Sequence, residues 1–260
     1  MFGAHEIALF FVAVAIYLMV IEVGFRLGLR YRQPDDEGGR SHVTGLQSAL
    51  LGLLALLLGF TFAMAVNRYD LRKSLVIEEA NAIAKVHWRS QLAPEPQRAE
   101  LARFLRDYVV ARVTLHEIDE GPEELAGQDA ATDKLEQEIW ARAAALQGPG
   151  SGTASTGTLF IQAINDMIDV HEKRRVALEN HVPEAVLNLL FVVSAGAIGF
   201  IAYASGLSGR RRYVSTVIFA ILIAFVLTFI RDIDQPQGGL VTVGQESMLR
   251  LKDRLDATVR

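Results

Sequence analysis

The histidines of this sequence do not have the spacing of a zinc-binding motif. Three of the six histidines precede a glutamate, at His5, His116 and His171, but none is followed by a second histidine four residues later. Metalloproteases of the HExxH type need that spacing because histidines one helical turn apart face the same ion. We therefore predict no metal site.

Other catalytic and ligand-binding groups are also missing from the sequence. The absence of cysteine excludes disulfide scaffolds, thiolate metal sites and cysteine nucleophiles. The glycine-rich stretch at 148–152 lacks the lysine and the preceding strand that a phosphate-binding loop requires. The 26 Lys and Arg residues are outnumbered by 30 Asp and Glu, whereas a nucleic-acid surface needs a basic excess. We expect no catalytic residue, no cofactor and no nucleic-acid partner, in a protein that is not an enzyme.

One carboxylate, Glu22, lies near the end of an apolar stretch. It precedes Arg26 by four residues, so a helix would bring the two side chains together. A carboxylate inside a membrane span is a functional candidate by default. An ion pair of Glu22 with Arg26 at the membrane surface is the interpretation we favour.

Four segments are apolar and long enough to cross a lipid bilayer. The chain is 51% apolar with a mean hydropathy of +0.25. About 20 helical residues cross a hydrocarbon core of about 30 Å. The predicted spans are 7–25, 43–66, 185–205 and 213–230. Five small residues in the third span and directly after it predict close helix packing there: Ala195, Gly196, Gly199, Ala202 and Gly206.

The rest of the chain is polar and shows the periodicity of helices. Apolar residues recur at three- and four-residue steps within 101–115, 135–146 and 161–171, and no segment alternates with a period of two. We therefore predict an all-α protein with four transmembrane helices and a helical soluble insert between spans two and three. Residues 1–66 hold spans one and two, 67–183 the insert with a linker at 148–157, 184–230 the hairpin of spans three and four, and 231–260 a tail.

The second span is followed by Arg68–Trp88, which contains no proline or glycine, so we expect its helix to continue into the insert. Within the span, Gly52, Leu56 and Phe60 are four residues apart and share one face. Several copies of this helix around an axis would form stacked apolar rings that gate by excluding water. A leucine-rich face in contact with lipid has the same pattern, so both interpretations stay open.

Short loops predict the orientation of the chain. Seven arginines lie in the loops 26–42 and 206–212, and the N-terminal tail has no Lys or Arg. Positive charge in short loops is retained on the cytoplasmic side. The charge distribution therefore places both short loops in the cytoplasm and the insert outside.

Two motifs resemble segments of the bestrophin channels. Leu58-Gly59-Phe60, followed by Arg68-Tyr69, is similar to their second helix, and RDIDQPQGGL at 231–240 is similar to the segment after their last span. More closely, the whole chain resembles the bacterial bestrophin-like family of unknown function (DUF4239), through GFTFAMAVNRYDLR, EEANAI, DVHEKRR and DIDQPQGG.

The resemblance implies a homo-oligomer, with a pentamer favoured, that lies in the lipid bilayer of the bacterial inner membrane and conducts small inorganic ions. By position, the neck is Gly52, Leu56 and Phe60, and the vestibule candidates are Arg68, Asp70 and Arg72. The acidic cluster that binds calcium in animal bestrophins is reduced here to Asp232 and Asp234. In bestrophins the insert lies in the cytoplasm, whereas the arginines of the two short loops predict that the insert of this chain lies outside. The alternative function is a membrane-anchored sensor or scaffold whose insert binds a ligand or partner protein.

Overall fold

The computed structural model describes residues 4–32, 37–117, 122–145, 154–211, 213–235 and 240–259. In these ranges every regular element is an α-helix, which confirms the all-α prediction. The helices are α1 Ala4–Arg30, α2 Glu37–Ser90, α3 Gln97–Glu117, α4 Pro122–Ala145, α5 Ala154–Glu179, α6 Glu184–Leu207, α7 Tyr213–Asp234 and α8 Glu246–Val259.

Four helical stretches are long and apolar enough to cross a membrane. They lie within Glu6–Arg30, Ser41–Ser90, Gly157–Leu207 and Tyr213–Asp234. This agrees with the four predicted spans, and the chain is an integral membrane protein. The second stretch also confirms that the helix of span two continues without a break as far as Ser90.

The chain divides into two compact units. The membrane unit comprises Met1–Tyr69 and His181–Thr242, and the insert unit comprises Asp70–Asn180 and Val243–Arg260. The predicted tail 231–260 is therefore shared between them. Its last part belongs to the insert unit because α8 packs against α3 and buries Met248, Leu251 and Leu255.

In the membrane unit, α1 packs against α6 and α7, and α6 packs against α7. The buried core includes Tyr17, Leu54 and Ile198. The hydroxyl groups of Tyr17 and Ser194 share a hydrogen bond of 2.6 Å. Ser194 also donates to the carbonyl oxygen of Phe191 at 2.8 Å, so the bond between the two hydroxyls gives the buried Tyr17 a partner, without which its burial would cost free energy.

Glycines allow α1 and α6 to approach closely. A methyl group at Gly24 would lie 2.5 Å from the carbonyl oxygen of Gly199, and one at Gly28 would overlap the backbone of Tyr203 and Gly206. The predicted packing role is thus confirmed for Gly199 and Gly206. Gly196 differs, because a methyl group there would meet no atom within 4 Å.

In the insert unit, α3 packs against α4 and α8, and α4 packs against α5. The predicted apolar stripes are buried at Leu101, Leu105, Val109, Ile139 and Ile164. Of the predicted linker, 148–153 lies outside the described residues, whereas 154–157 forms the first turn of α5. The helix begins this early because serine, threonine and glycine are tolerated in a first turn, whose N–H groups have no helical acceptor.

Candidate functional site

The predicted neck residues lie on the exposed face of α2. The opposite face, with Leu54 and Ala65, is buried in the membrane unit. Gly52 is exposed, and Leu56 and Phe60 are 55% and 65% exposed. The helix therefore brings the three residues together on one surface that no other part of the described chain covers.

Glycines recur on this face every seven residues, at Gly45, Gly52 and Gly59. Seven residues are nearly two helical turns, so positions at this spacing drift by only about 20°. A methyl group at any of the three would meet no atom within 4 Å. Within one chain these glycines are not required for packing, and they permit a second helix to approach closely.

Of the predicted vestibule residues, Arg68 and Asp70 retain some exposure and Arg72 does not. The Arg68 Nη1 atom lies 3.7 Å from Oδ1 of Asp234 in the membrane unit. Asp70 belongs to the insert unit and is exposed. It forms no ion pair with another described residue.

The structure corrects the prediction for Arg72, which is 2% exposed. Its Nε donates to the carbonyl oxygen of Ala177 at 3.1 Å and its Nη2 to that of Asn180 at 3.0 Å. The last carbonyls of a helix have no partner within the helix and attract a cation. Arg72 therefore caps the end of α5 and cannot face a vestibule.

The acidic residues after span four accept hydrogen bonds from main-chain N–H groups. Asp232 is fully buried and accepts hydrogen bonds from Leu240 at 2.9 Å and Val241 at 3.2 Å. Asp234 accepts one from Val182 at 2.8 Å. These bonds fix the chain after α7 and the residue two positions before α6.

Glu22 forms the predicted ion pair with Arg26, at 2.8 Å. Arg211, in the short loop between α6 and α7, contacts the other carboxylate oxygen at 2.6 Å. Both arginines are more than half exposed, which is typical of an interfacial ion pair. The predicted contact of Glu22 with Arg26 is thus confirmed, and the contact with Arg211 was not predicted, because that residue lies 189 positions away in the sequence.

The insert unit contains a buried carboxylate held by two arginines. Glu79 on α2 is 0% exposed and accepts from Arg112 on α3 at 2.7 Å and from Arg174 on α5 at 2.5 Å. The pattern of apolar residues gave no signal for this cluster, since each partner lies on a different helix.

A second polar cluster of the insert unit contains Tyr108, Glu136 and His171. The hydroxyl of Tyr108 donates to Glu136 Oε1 at 2.9 Å, and Nδ1 of His171 lies 2.7 Å from the same oxygen. Burial raises the pKa of Tyr108 well above its usual range, and the charges of Glu79 and Glu136 raise it further. Tyr108 therefore stays protonated and remains a donor. Asp133, Glu136 and His171 form one group, and the oxygen and nitrogen atoms of their side chains are of the types that bind a metal ion.

Comparison with known proteins identifies the type of domain. The sequence model of a bestrophin-like domain matches residues 10–248. None of the curated proteins compared with the chain is significantly similar to it.

Crystal structures of a bacterial bestrophin homologue and of a membrane protein have the same fold. A variant of a bacterial bestrophin homologue from Klebsiella pneumoniae is 15% identical, with a TM-score of 0.68 over 98% of this chain and 99% of that one. A second crystal structure of that homologue is 16% identical, with a TM-score of 0.68 over 97% and 98% of the two chains. A variant of a crystallised membrane protein is 13% identical, with a TM-score of 0.69 over 97% and 98%. At these identities the likeness concerns the fold alone.

Proposed function

This chain belongs to the bestrophin-like family, and from that membership we propose that it is a homo-oligomeric ion channel of a bacterial inner membrane. We propose five copies, with α2 of each copy facing a shared axis. The proposal includes no enzymatic activity and no cofactor.

The exposed face of α2 is the observation that carries this proposal. An apolar side chain as large as Phe60 at 65% exposure needs either lipid or a neighbouring copy to cover it. Glycines at 45, 52 and 59 let α2 helices of neighbouring copies pack closely beside the axis. Leu56 and Phe60 then form two apolar rings one helical turn apart.

Two apolar rings provide a physical mechanism for gating. A narrow apolar passage loses its water, and an ion cannot leave its hydration shell without compensating ligands. A small outward movement of α2 rehydrates the passage and allows ions to pass. An apolar neck offers no charge that would choose between anions and cations. The positive charge of Arg68 beside the neck is partly balanced by Asp234.

For orientation we propose that the insert lies outside and both short loops lie in the cytoplasm. The basis is the seven arginines of these loops. Arg26 and Arg211 are more than half exposed, as expected for side chains that meet the anionic headgroups of the cytoplasmic leaflet.

The proposal is tested by reconstituting the purified chain in a planar bilayer and recording ionic current. Phe60→Ala removes one ring, so we expect a severalfold larger current or a longer open time, because the passage rehydrates more easily. Phe11→Ala is a matched control, since Phe11 is 63% exposed on α1 and is not part of the proposed neck. Absence of current from the unmodified chain, or equal effects of the two substitutions, would contradict the proposal.

A membrane-anchored sensor or scaffold is the second candidate. It is favoured by α2, which runs from Glu37 to Ser90 and contributes residues to both units. Imaging of purified particles separates the two functions. Five copies with α2 at a central axis support a channel, whereas a dimer with no axial path supports the sensor.

A further inference from the structure

We propose that the insert unit binds a divalent transition-metal ion such as Zn²⁺ between α4 and α5. The ligands are carboxylate oxygens of Asp133 and Glu136 and one imidazole nitrogen of His171. This site is separate from the proposed neck and does not depend on conduction.

The backbone places the three ligands in one group. Asp133 and Glu136 are three residues apart on α4 and therefore lie on the same face of that helix. His171 comes from α5, which packs against α4. One ligand atom from each of the three residues lies within 4.8 Å of the others.

The ligand atoms lie near one another, and the hydrogen-bonded pair must move apart to hold an ion between them. Zinc binds nitrogen and oxygen at about 2.0–2.2 Å, so two ligands of a tetrahedral ion are about 3.4 Å apart. Glu136 Oε1 and His171 Nδ1 are 2.7 Å apart. Asp133 is exposed, so its side chain can rotate to complete the group.

The charges of the group favour a cation. Among the described residues, no lysine or arginine forms an ion pair with Asp133, and Glu136 pairs with His171 alone. In the tautomer of His171 that carries its proton on Nε2, the lone pair of Nδ1 points towards Glu136 and is available to an ion bound between the two side chains.

The neighbouring residues provide both support and access. The Tyr108 hydroxyl bonds to Glu136, as hydrogen-bond donors commonly do for carboxylates that bind metals. An open cavity of about 380 Å³ leads to the group, so an ion and water can enter. It is lined by Asp133, Glu136, Gln137, Trp140, Asn165 and Ile168.

The ligand types indicate the class of ion. Mg²⁺ and Ca²⁺ prefer oxygen ligands alone, whereas imidazole suits Zn²⁺ and its first-row neighbours. The amide oxygens of Gln137 or Asn165, or water from the cavity, can supply the remaining ligands. A bound ion would join α4 to α5 and stabilise the folded insert unit by mass action.

The test uses the full chain in detergent after treatment with a chelator. Calorimetric titration with Zn²⁺ should show one high-affinity site per chain. Thermal unfolding in the presence of Zn²⁺ should show a higher Tm than in its absence. Asp133→Asn should weaken binding by at least about tenfold, because it removes one ligand charge. Asp169→Asn is the matched control, since Asp169 is an exposed carboxylate of α5 outside the group. This variant should bind zinc with the affinity of the unmodified chain.

A spectroscopic measurement keeps the test independent of folding. Asp133 is exposed, so its substitution leaves the core of the insert unit unchanged, in contrast to that of the buried His171. Co²⁺ added in place of Zn²⁺ should give visible absorption in the unmodified chain and lose it in Asp133→Asn. Equal zinc affinity in the unmodified chain and in Asp133→Asn would overturn the site. Equal affinity for Mg²⁺ and Zn²⁺ would overturn the class of ion.

Discussion

Several charged side chains of this protein are matched within small clusters. Glu79 accepts from two arginines, Glu22 contacts two arginines at the surface, and Asp234 lies beside Arg68. The energetic importance of such clusters depends on burial, because water screens exposed charges. Removing one member of a buried cluster leaves an uncompensated charge in a medium of low polarity.

At this scale, Glu79→Gln is predicted to destabilise the insert unit. The substitution leaves Arg112 and Arg174 buried without a counter-charge, which costs about 3–5 kcal/mol. Thermal unfolding followed by tryptophan fluorescence measures the effect. Both tryptophans, Trp88 and Trp140, lie in the insert unit.

Glu172→Gln serves as the control for Glu79→Gln. Glu172 also contacts an arginine, Arg175, at 2.8 Å, but both side chains are about half exposed. We expect no measurable change in Tm for this variant. A loss of stability as large as that of Glu79→Gln would show that burial does not decide the effect.

At the scale of helices, the membrane unit depends on close packing of α1 against α6. Gly24 and Gly28 on α1 face Gly199 and Gly206 on α6, and their missing side chains let the backbones touch. Helices in lipid gain little from the hydrophobic effect, so van der Waals contact at such positions supplies much of their association. The two glycines of α1 are therefore structural rather than merely tolerated.

Gly28→Ala is predicted to lower the Tm of the membrane unit, because the added methyl group overlaps backbone atoms of α6 that cannot rotate away. Overpacking of this kind costs about 1–3 kcal/mol. Gly196→Ala is the matched control on α6, with no atom within 4 Å of the added methyl group. Thermal stability in detergent measures both, and an equal Tm for the two variants would rule out the packing role.

For the molecule as a whole, the orientation in the membrane decides on which side of the membrane the insert lies. The arginines of the two short loops favour the insert outside, whereas the resemblance to bestrophins favours the cytoplasm. A zinc site in the insert unit would then respond to the metal concentration on that side of the membrane.

Single-cysteine labelling is predicted to place the insert outside. The chain has no native cysteine, so Lys173→Cys in the insert and Ser208→Cys in the short loop each introduce one reactive thiol at an exposed position. A membrane-impermeant maleimide applied to spheroplasts should label the first variant and not the second. The reverse pattern would overturn the proposed orientation.

The amino-acid sequence was enough to predict the four spans, the all-α class and the continuous helix of α2. These properties follow from hydropathy and periodicity over neighbouring residues, which act within one helix. The pairing of Glu22 with Arg26 could be predicted for the same reason, because four residues on a helix define a fixed distance.

The three-dimensional fold was needed to identify the partners that come from different helices. In the fold, Arg72 caps the end of α5 and does not line a vestibule. The tail is divided between the two units, and His171 contacts Glu136, which lies 35 residues away in the sequence. The spacing of histidines along the sequence gave no indication of the contact between His171 and Glu136, because the two residues lie on different helices. Contacts between helices depend on their packing and register, and those are set by the whole fold and not by any local spacing.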